Sequence, residues 1–246
     1  MESKWIAHKL DNNEDIALIC FPHAGGTASF FAKWGNYFKG NAAILPVQYP
    51  MREKRIRDVM PNSVIELAKQ FVDENIELLK NRKFAFFGHC SGSIVAYEAC
   101  KYAEEKYNVK PLVLIASACM SPKNFNVPIL SDLDEKSLIQ KIKDYGYIPD
   151  ELLNNEMMFQ YFLPIVRKDF HIQEQYKCTN EVKIDSKIVT MYGIEDSNMN
   201  DIEKIKDWER YTSKDYVFTS FKGNHFYLEN DLDLVSKEII KQIRGE

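Results

Sequence analysis

Residues 86–98 read FFGHCSGSIVAYE, and the frame chosen for this stretch decides how the rest of the chain is read. The run KFAFF ahead of it is apolar enough for a buried strand, and SIVAYEACKYAEEKY behind it has the composition of a helix. Between them, Gly88-His89-Cys90-Ser91-Gly92 has the outline of the G-x-S-x-G turn that lifts a nucleophile out of a strand into a helix. The middle position is a cysteine, and a serine follows one place late. Such a turn closes only when small residues sit two before and two after its tip. Gly88 and Gly92 hold those places around Cys90, whereas a Ser91 tip would be flanked by His89 and Ser93. The glycines select Cys90. The inert alternative is a thiol buried in a tight strand–helix turn.

A cysteine can serve as the nucleophile. Its thiolate is intrinsically reactive, and a helix N-terminus with a nearby histidine favours that form. A base and an orienting acid are then required, following the nucleophile in the order acid, histidine. Only His171 and His225 lie after residue 90. His225, in FKGNHFYLEN between the last expected strand and the last expected helix, is the expected base. His171, in RKDFHIQEQY, falls in an insertion. In VTMYGIEDSNM, Asp196 is the preferred acid and Glu195 the alternative. The loop FPHAGGTASFF follows the first buried strand and is small enough for backbone N–H groups to approach a ligand. It suits the second half of an oxyanion hole, from Ala24, with the Ser91 N–H as the first half.

Working outward, apolar runs alternate with helical patterns, which predicts an α/β fold with a mostly parallel central sheet. Strands are expected at 16–21, 42–48, 84–88, 112–117, 188–192 and 216–221, several apolar throughout, as in a sheet covered on both faces. The clearest helix starts after Ser63, where Ser63 and Glu66 form a capping-box pattern and Val64, Ala68, Phe71, Val72, Asn75 and Leu79 share a mostly apolar face. Another begins just after Cys90, and the last covers about 232–243. The stretch between the fourth and fifth strands is too long for an ordinary connection and carries helical patterns around 134–142 and 152–161. The chain is therefore read as one domain, 1–246, with a helical lid inserted at about 121–183.

Composition narrows the function classes. The 246 residues are 45% hydrophobic and 28% charged, with a net charge of −4, so a general nucleic-acid binder is not expected. No segment reads as a signal peptide or membrane span. The five cysteines form no C-x-x-C or Cys/His cluster, so no metal, no cofactor and no disulfide framework are expected, and the compartment is read as cytoplasmic. In PMREKRIRD, Arg52, Lys54, Arg55 and Arg57 read as a basic patch close to the site.

CFPHAGGTASFFAKW, GHCSGSIVAYE, LPIVRKDF, MYGIEDSNMNDIEKIKDWERYT and FKGNHFYLEN together resemble the type II thioesterases of nonribosomal peptide and polyketide synthesis over about residues 15–243. The resemblance implies an α/β-hydrolase fold with a helical lid. It also implies removal of acyl or aminoacyl groups from the phosphopantetheine arm of acyl or peptidyl carrier proteins. Cys90, Asp196 and His225 take the nucleophile, acid and base positions, and Trp208 matches a family tryptophan. Two positions depart from the pattern: Cys90 replaces the family serine, and Met51 replaces the glycine of its P-G-R-E stretch. The cysteine is compatible with a hydrolase, an acyltransferase, or a serine exchanged to trap an intermediate. A carboxylesterase and a weakly catalytic carrier-binding module remain alternatives. Met157, Met158, Phe159 and Phe162 are the expected acyl-facing residues of the lid.

Overall fold

The computed structural model describes residues 3–7, 14–144 and 156–245, and of residues 156 and 158 only the backbone. Six strands form one parallel sheet: β1 Ile16–Phe21, β2 Ala43–Pro46, β3 Lys83–His89, β4 Val113–Ser117, β5 Lys187–Gly193 and β6 Tyr216–Phe221. Their order is β2-β1-β3-β4-β5-β6, with Phe21 beside Gly88, His89 beside Ser117 and Gly193 beside Phe221. The inner strands β1, β3, β4 and β5 are buried on both sides because they are mostly apolar along their length, whereas the edge strand β6 is half-buried. Ala17, Ile19 and Phe21 of β1 point into one core, and Leu18 and Cys20 into the other, as the two-residue period of a strand requires.

The helices supply the covering layers. They are α1 Trp34–Phe38, α2 Val64–Asn81, α3 Ser91–Tyr107, α4 Glu135–Asp144, α5 Glu156–Glu174, α6 Ile202–Lys206, α7 Tyr227–Asn230 and α8 Leu232–Arg244. The first core packs α2 and α3, and the second packs α1 and α8. At the start of α2, the Ser63 hydroxyl accepts from Glu66 N at 3.1 Å while the Glu66 carboxylate reaches back to Asn62 N at 2.9 Å. Val64, Leu67, Ala68, Phe71, Val72 and Leu79 form its buried stripe. Each large apolar side chain so buried contributes about 1.5–3 kcal/mol.

Between β4 and β5 lie α4 and α5. Of the helix expected at 152–161, residues 152–155 lie outside the described residues, and α5 runs on to Glu174. Phe159, Leu163, Val166 and Phe170 of α5 join Leu130, Leu138, Ile142 and Ala24 in a third cluster. The segment before α4 is tied to α5 by polar contacts. Glu174 accepts from Leu130 N at 2.7 Å and Ser131 N at 2.9 Å, and Arg167 donates to Leu133 O at 2.7 Å. Among the described residues no helix is long and apolar enough to cross a membrane.

Candidate active site

The carboxyl ends of β1, β3, β4, β5 and β6 converge, as parallel α/β sheets arrange their ligand crevices. Cys90 caps the N-terminus of α3 with φ 54° and ψ −128°, a conformation L-residues rarely adopt. The strain is held by backbone packing. A Cβ on Gly88 would stand 2.4 Å from Gly92 O, and one on Gly92 would stand 2.3 Å from Phe21 O and 2.6 Å from Pro22 O. Cys90 N also donates to Ser117 O at 2.8 Å, and Ser93 Oγ to Gly88 O at 2.9 Å. No side chain larger than hydrogen fits at either glycine without moving the backbone of β1 or α3.

Asp196 follows β5 and His225 follows β6. His225 Nδ1 donates to Asp196 Oδ2 at 2.6 Å, and Asp196 Oδ1 accepts from Asn198 N at 2.9 Å. Asp196 is buried, whereas Glu195 is exposed and its backbone N–H bonds Gly223 O at 2.9 Å. The structure thus brings Asp196, not Glu195, to the imidazole. His171 is exposed on α5, beside Gln175. Burial opposes charge on His225, yet the negative charge and hydrogen bond of Cys90, with the Asp196 carboxylate, push its pKa up to about 10. An imidazolium beside the sulfur is therefore the favoured state at neutral pH.

Two more histidines crowd this group. The rings of His89 and His225 lie 5.2 Å apart, and those of His23 and His89 5.8 Å. His89 is pinned at Nδ1 by Ser117 Oγ at 2.9 Å, which meets Tyr227 OH at 2.7 Å. Burial, then the positive charges of His225 and Arg52, lower His23 to about 3, and burial with the two neighbouring histidines lowers His89 as well. Both stay neutral, so His225 is the one imidazole of the three that carries charge.

Cys90, His225 and Ala24 share a cavity of about 160 Å³. Its far wall is the segment after β4, including Cys119, Phe125, Val127 and Leu130, with Phe170 and Gln173 of α5. The residues expected to face the acyl group lie elsewhere. Met157 is 84% exposed, Phe159 is buried in the third cluster, and Phe162 packs at the edge of that cluster. The side chain of Met158 lies outside the described residues. Trp208 reaches the wall from behind, donating from Nε1 to Cys119 O at 3.0 Å.

The expected basic patch is only half exposed. Arg52 bonds Asp169 through both guanidinium ends, Nη1 at 2.9 Å and Nη2 at 2.7 Å. Arg55 bonds Asp58 at 2.8 Å and Gln48 O at 2.9 Å, and stacks 4.0 Å above Trp5. Both are buried, because their forked donors find internal acceptors that an exposed loop would lack. Lys54 and Arg57 remain at the surface. The buried Arg52–Asp169 pair went unforeseen, although both residues lie in the quoted motifs PMREK and LPIVRKDF. Among the described residues no cluster of His, Cys, Asp and Glu could hold a metal ion.

Residues 17–245 match the family model described as Thioesterase domain. The rat (Rattus norvegicus) S-acyl fatty acid synthase thioesterase, medium chain, is 29% identical, the alignment covering 86% of this chain and 81% of that protein. Gramicidin S biosynthesis protein GrsT of Aneurinibacillus migulanus is 27% identical over 98% of this chain and 94% of its own. The structure of RedJ, a thioesterase from the prodiginine biosynthetic pathway in Streptomyces coelicolor, superposes with a TM-score of 0.85. It is 25% identical, with 97% of this chain and 92% of RedJ covered.

Proposed function

As a member of the thioesterase family the chain is a thioester hydrolase, and we propose that it uses Cys90, His225 and Asp196 to release acyl or aminoacyl groups from the phosphopantetheine arm of a carrier protein. The observation that carries the reading is the strained tip of Cys90 at the start of α3, with the Asp196-bonded His225 beside it. The names of GrsT and RedJ, tied to gramicidin S and prodiginine biosynthesis, support a place beside a peptide or polyketide assembly line.

The Cys90 sulfur attacks the thioester carbonyl, and the developing oxyanion is met by the backbone N–H groups of Ser91 and Ala24. The N-terminus of α3 adds its positive end. His225 gives its proton to the departing pantetheine sulfur, leaving the acyl group on Cys90 and a free thiol on the carrier. Acylation removes the negative charge that raised the His225 pKa. The imidazole, still oriented by Asp196, then becomes basic enough only to assist water, which it deprotonates for attack on the acyl-enzyme. The carboxylic acid leaves, and the Cys90 thiolate beside a protonated His225 is restored. Water is consumed and one thioester is cleaved.

With cysteine as nucleophile, the first half-reaction exchanges one thioester for another and is close to thermoneutral. The acyl-enzyme remains activated. The cavity beside Cys90, walled by Phe125, Val127, Leu130 and Phe170, would hold the acyl chain; α4, α5 and the segment before them form its lid. Turnover compared on an acylated carrier protein, the same acyl group on coenzyme A and a p-nitrophenyl ester tests the reading. Preference for the carrier supports it, and preference for the ester points to a carboxylesterase. Binding of the carrier without turnover points to a docking module.

A further inference from the structure

The loop after β1 is gripped from outside at two peptide groups with one peptide between them. Gly25 N donates to Asp169 Oδ2 at 2.7 Å, and Gly26 O accepts from Arg52 Nη1 at 2.8 Å. Between those grips, Gly26 N closes a turn onto His23 O at 2.9 Å. A trans peptide points its N–H opposite to its C=O. Fixing His23 O therefore fixes the direction of Ala24 N–H. The same Arg52 and Asp169 bond each other twice, and both are buried, at 1% and 5% exposure.

Asp169 belongs to α5, whose side chains also press on the loop. A Cβ at Gly25 would stand 2.9 Å from Val166 Cγ2 and 3.0 Å from the Phe162 ring, and Gly25 has φ +76°. The backbone of the loop thus lies directly on the helix. Arg52 is tied on its other side to Pro50 O at 3.1 Å, in a segment where Met51 and Glu53 both have positive φ. A buried ion pair is a poor way to gain stability, because desolvation offsets most of its attraction. Its forked geometry is a good way to fix direction.

We infer that Arg52 and Asp169 are positioning residues that clamp loop 23–26 so that Ala24 N–H faces the oxyanion, making the docking of α5 a condition for thioester cleavage. The inference rests on the proposed role of the Ala24 N–H. Neither Arg52 nor Asp169 lines the cavity at Cys90, so loss of the clamp should act through the oxyanion donor. Removing one oxyanion donor lowers kcat by roughly 10²–10³-fold.

The test uses the full chain and two readouts: steady-state cleavage of an acyl-carrier thioester, and alkylation of Cys90 by iodoacetamide, which forms no oxyanion. Asp169→Asn should lower kcat by on the order of 10²-fold with little change in KM, and leave the alkylation rate within about twofold of the parent. Arg52→Lys keeps the cation, loses the fork, and should show the same split; it carries the test if the asparagine variant does not fold. Equal loss of alkylation and cleavage, or unchanged cleavage, overturns the clamp. Ala24→Pro removes the N–H itself. If that variant cleaves thioesters at the parental rate, the oxyanion reading fails and the clamp with it. If Ala24→Pro is inactive while the Asp169 and Arg52 variants are normal, only the clamp fails.

Discussion

Cys90 is strained at φ 54° because two glycines let three backbone segments close around it. Gly92→Ala would drive a methyl into Phe21 O and Pro22 O, so the elbow must open or β1 must shift. Overpacking of this kind costs about 1–3 kcal/mol. The variant should melt lower and lose turnover by more than its melting point implies, measured by thermal denaturation beside kcat. His225→Asn removes the imidazolium beside the sulfur. Alkylation of Cys90 should become slower at pH 7 and rise more steeply toward pH 9 than in the parent, whose imidazole holds its proton up to about pH 10. A parallel pH profile in the two proteins would take His225 out of the site. The Cys90 frame was legible because the spacing of Gly88 and Gly92 is a local property of the chain. The burial of Arg52 was not, since its acceptor Asp169 lies 117 residues away.

At the scale of elements, the strands were legible because a sheet covered on both faces writes continuous apolar runs, and β1 through β6 fall within a few residues of expectation. The helix α5 was harder. Pro164 lies in its interior, a residue that ordinarily ends a helix, while Phe159, Leu163, Val166 and Phe170 continue the helical spacing across it. Its apolar side chains were expected over Cys90, but the helix turns most of them toward α4, and the segment 125–130 walls the cavity instead. That segment has no period to read, because it is not regular structure. Two substitutions separate the roles. Val127→Phe should narrow the cavity and lower kcat/KM for long acyl groups more than for acetyl, with an unchanged melting point. Phe159→Ala should cost about 3–5 kcal/mol of stability and leave the order of acyl preference intact. Competition between mixed acyl-carrier substrates reads the first, and denaturant unfolding the second.

For the whole molecule, the three clustered histidines set opposite slopes of stability with pH. His225 is raised to about 10, so its contribution is complete below the unfolded value near 6.5 and is lost as pH climbs through about 10. His23 is lowered to about 3, so its contribution is present above about 6.5 and is lost as pH falls toward 3. His89 is lowered too and acts in the same sense as His23. Below about pH 6 the His225 contribution is nearly complete, so of the three the lowered pair governs the change, and the melting temperature should fall with acid. His23→Phe should flatten that slope, and a slope as steep as the parent's would mean that the acid sensitivity arises elsewhere. One consequence concerns the order in which the chain is made. Domains form from the N-terminus as synthesis proceeds, and Cys90 emerges with β3 and α3 well before Asp169, Asp196 and His225 exist. A nascent chain can therefore present its thiol, but it has no base to charge beside it and no carboxylate to reach back to Gly25. Ribosome-stalled chains ending before residue 169 should carry an alkylatable sulfur and leave every thioester intact.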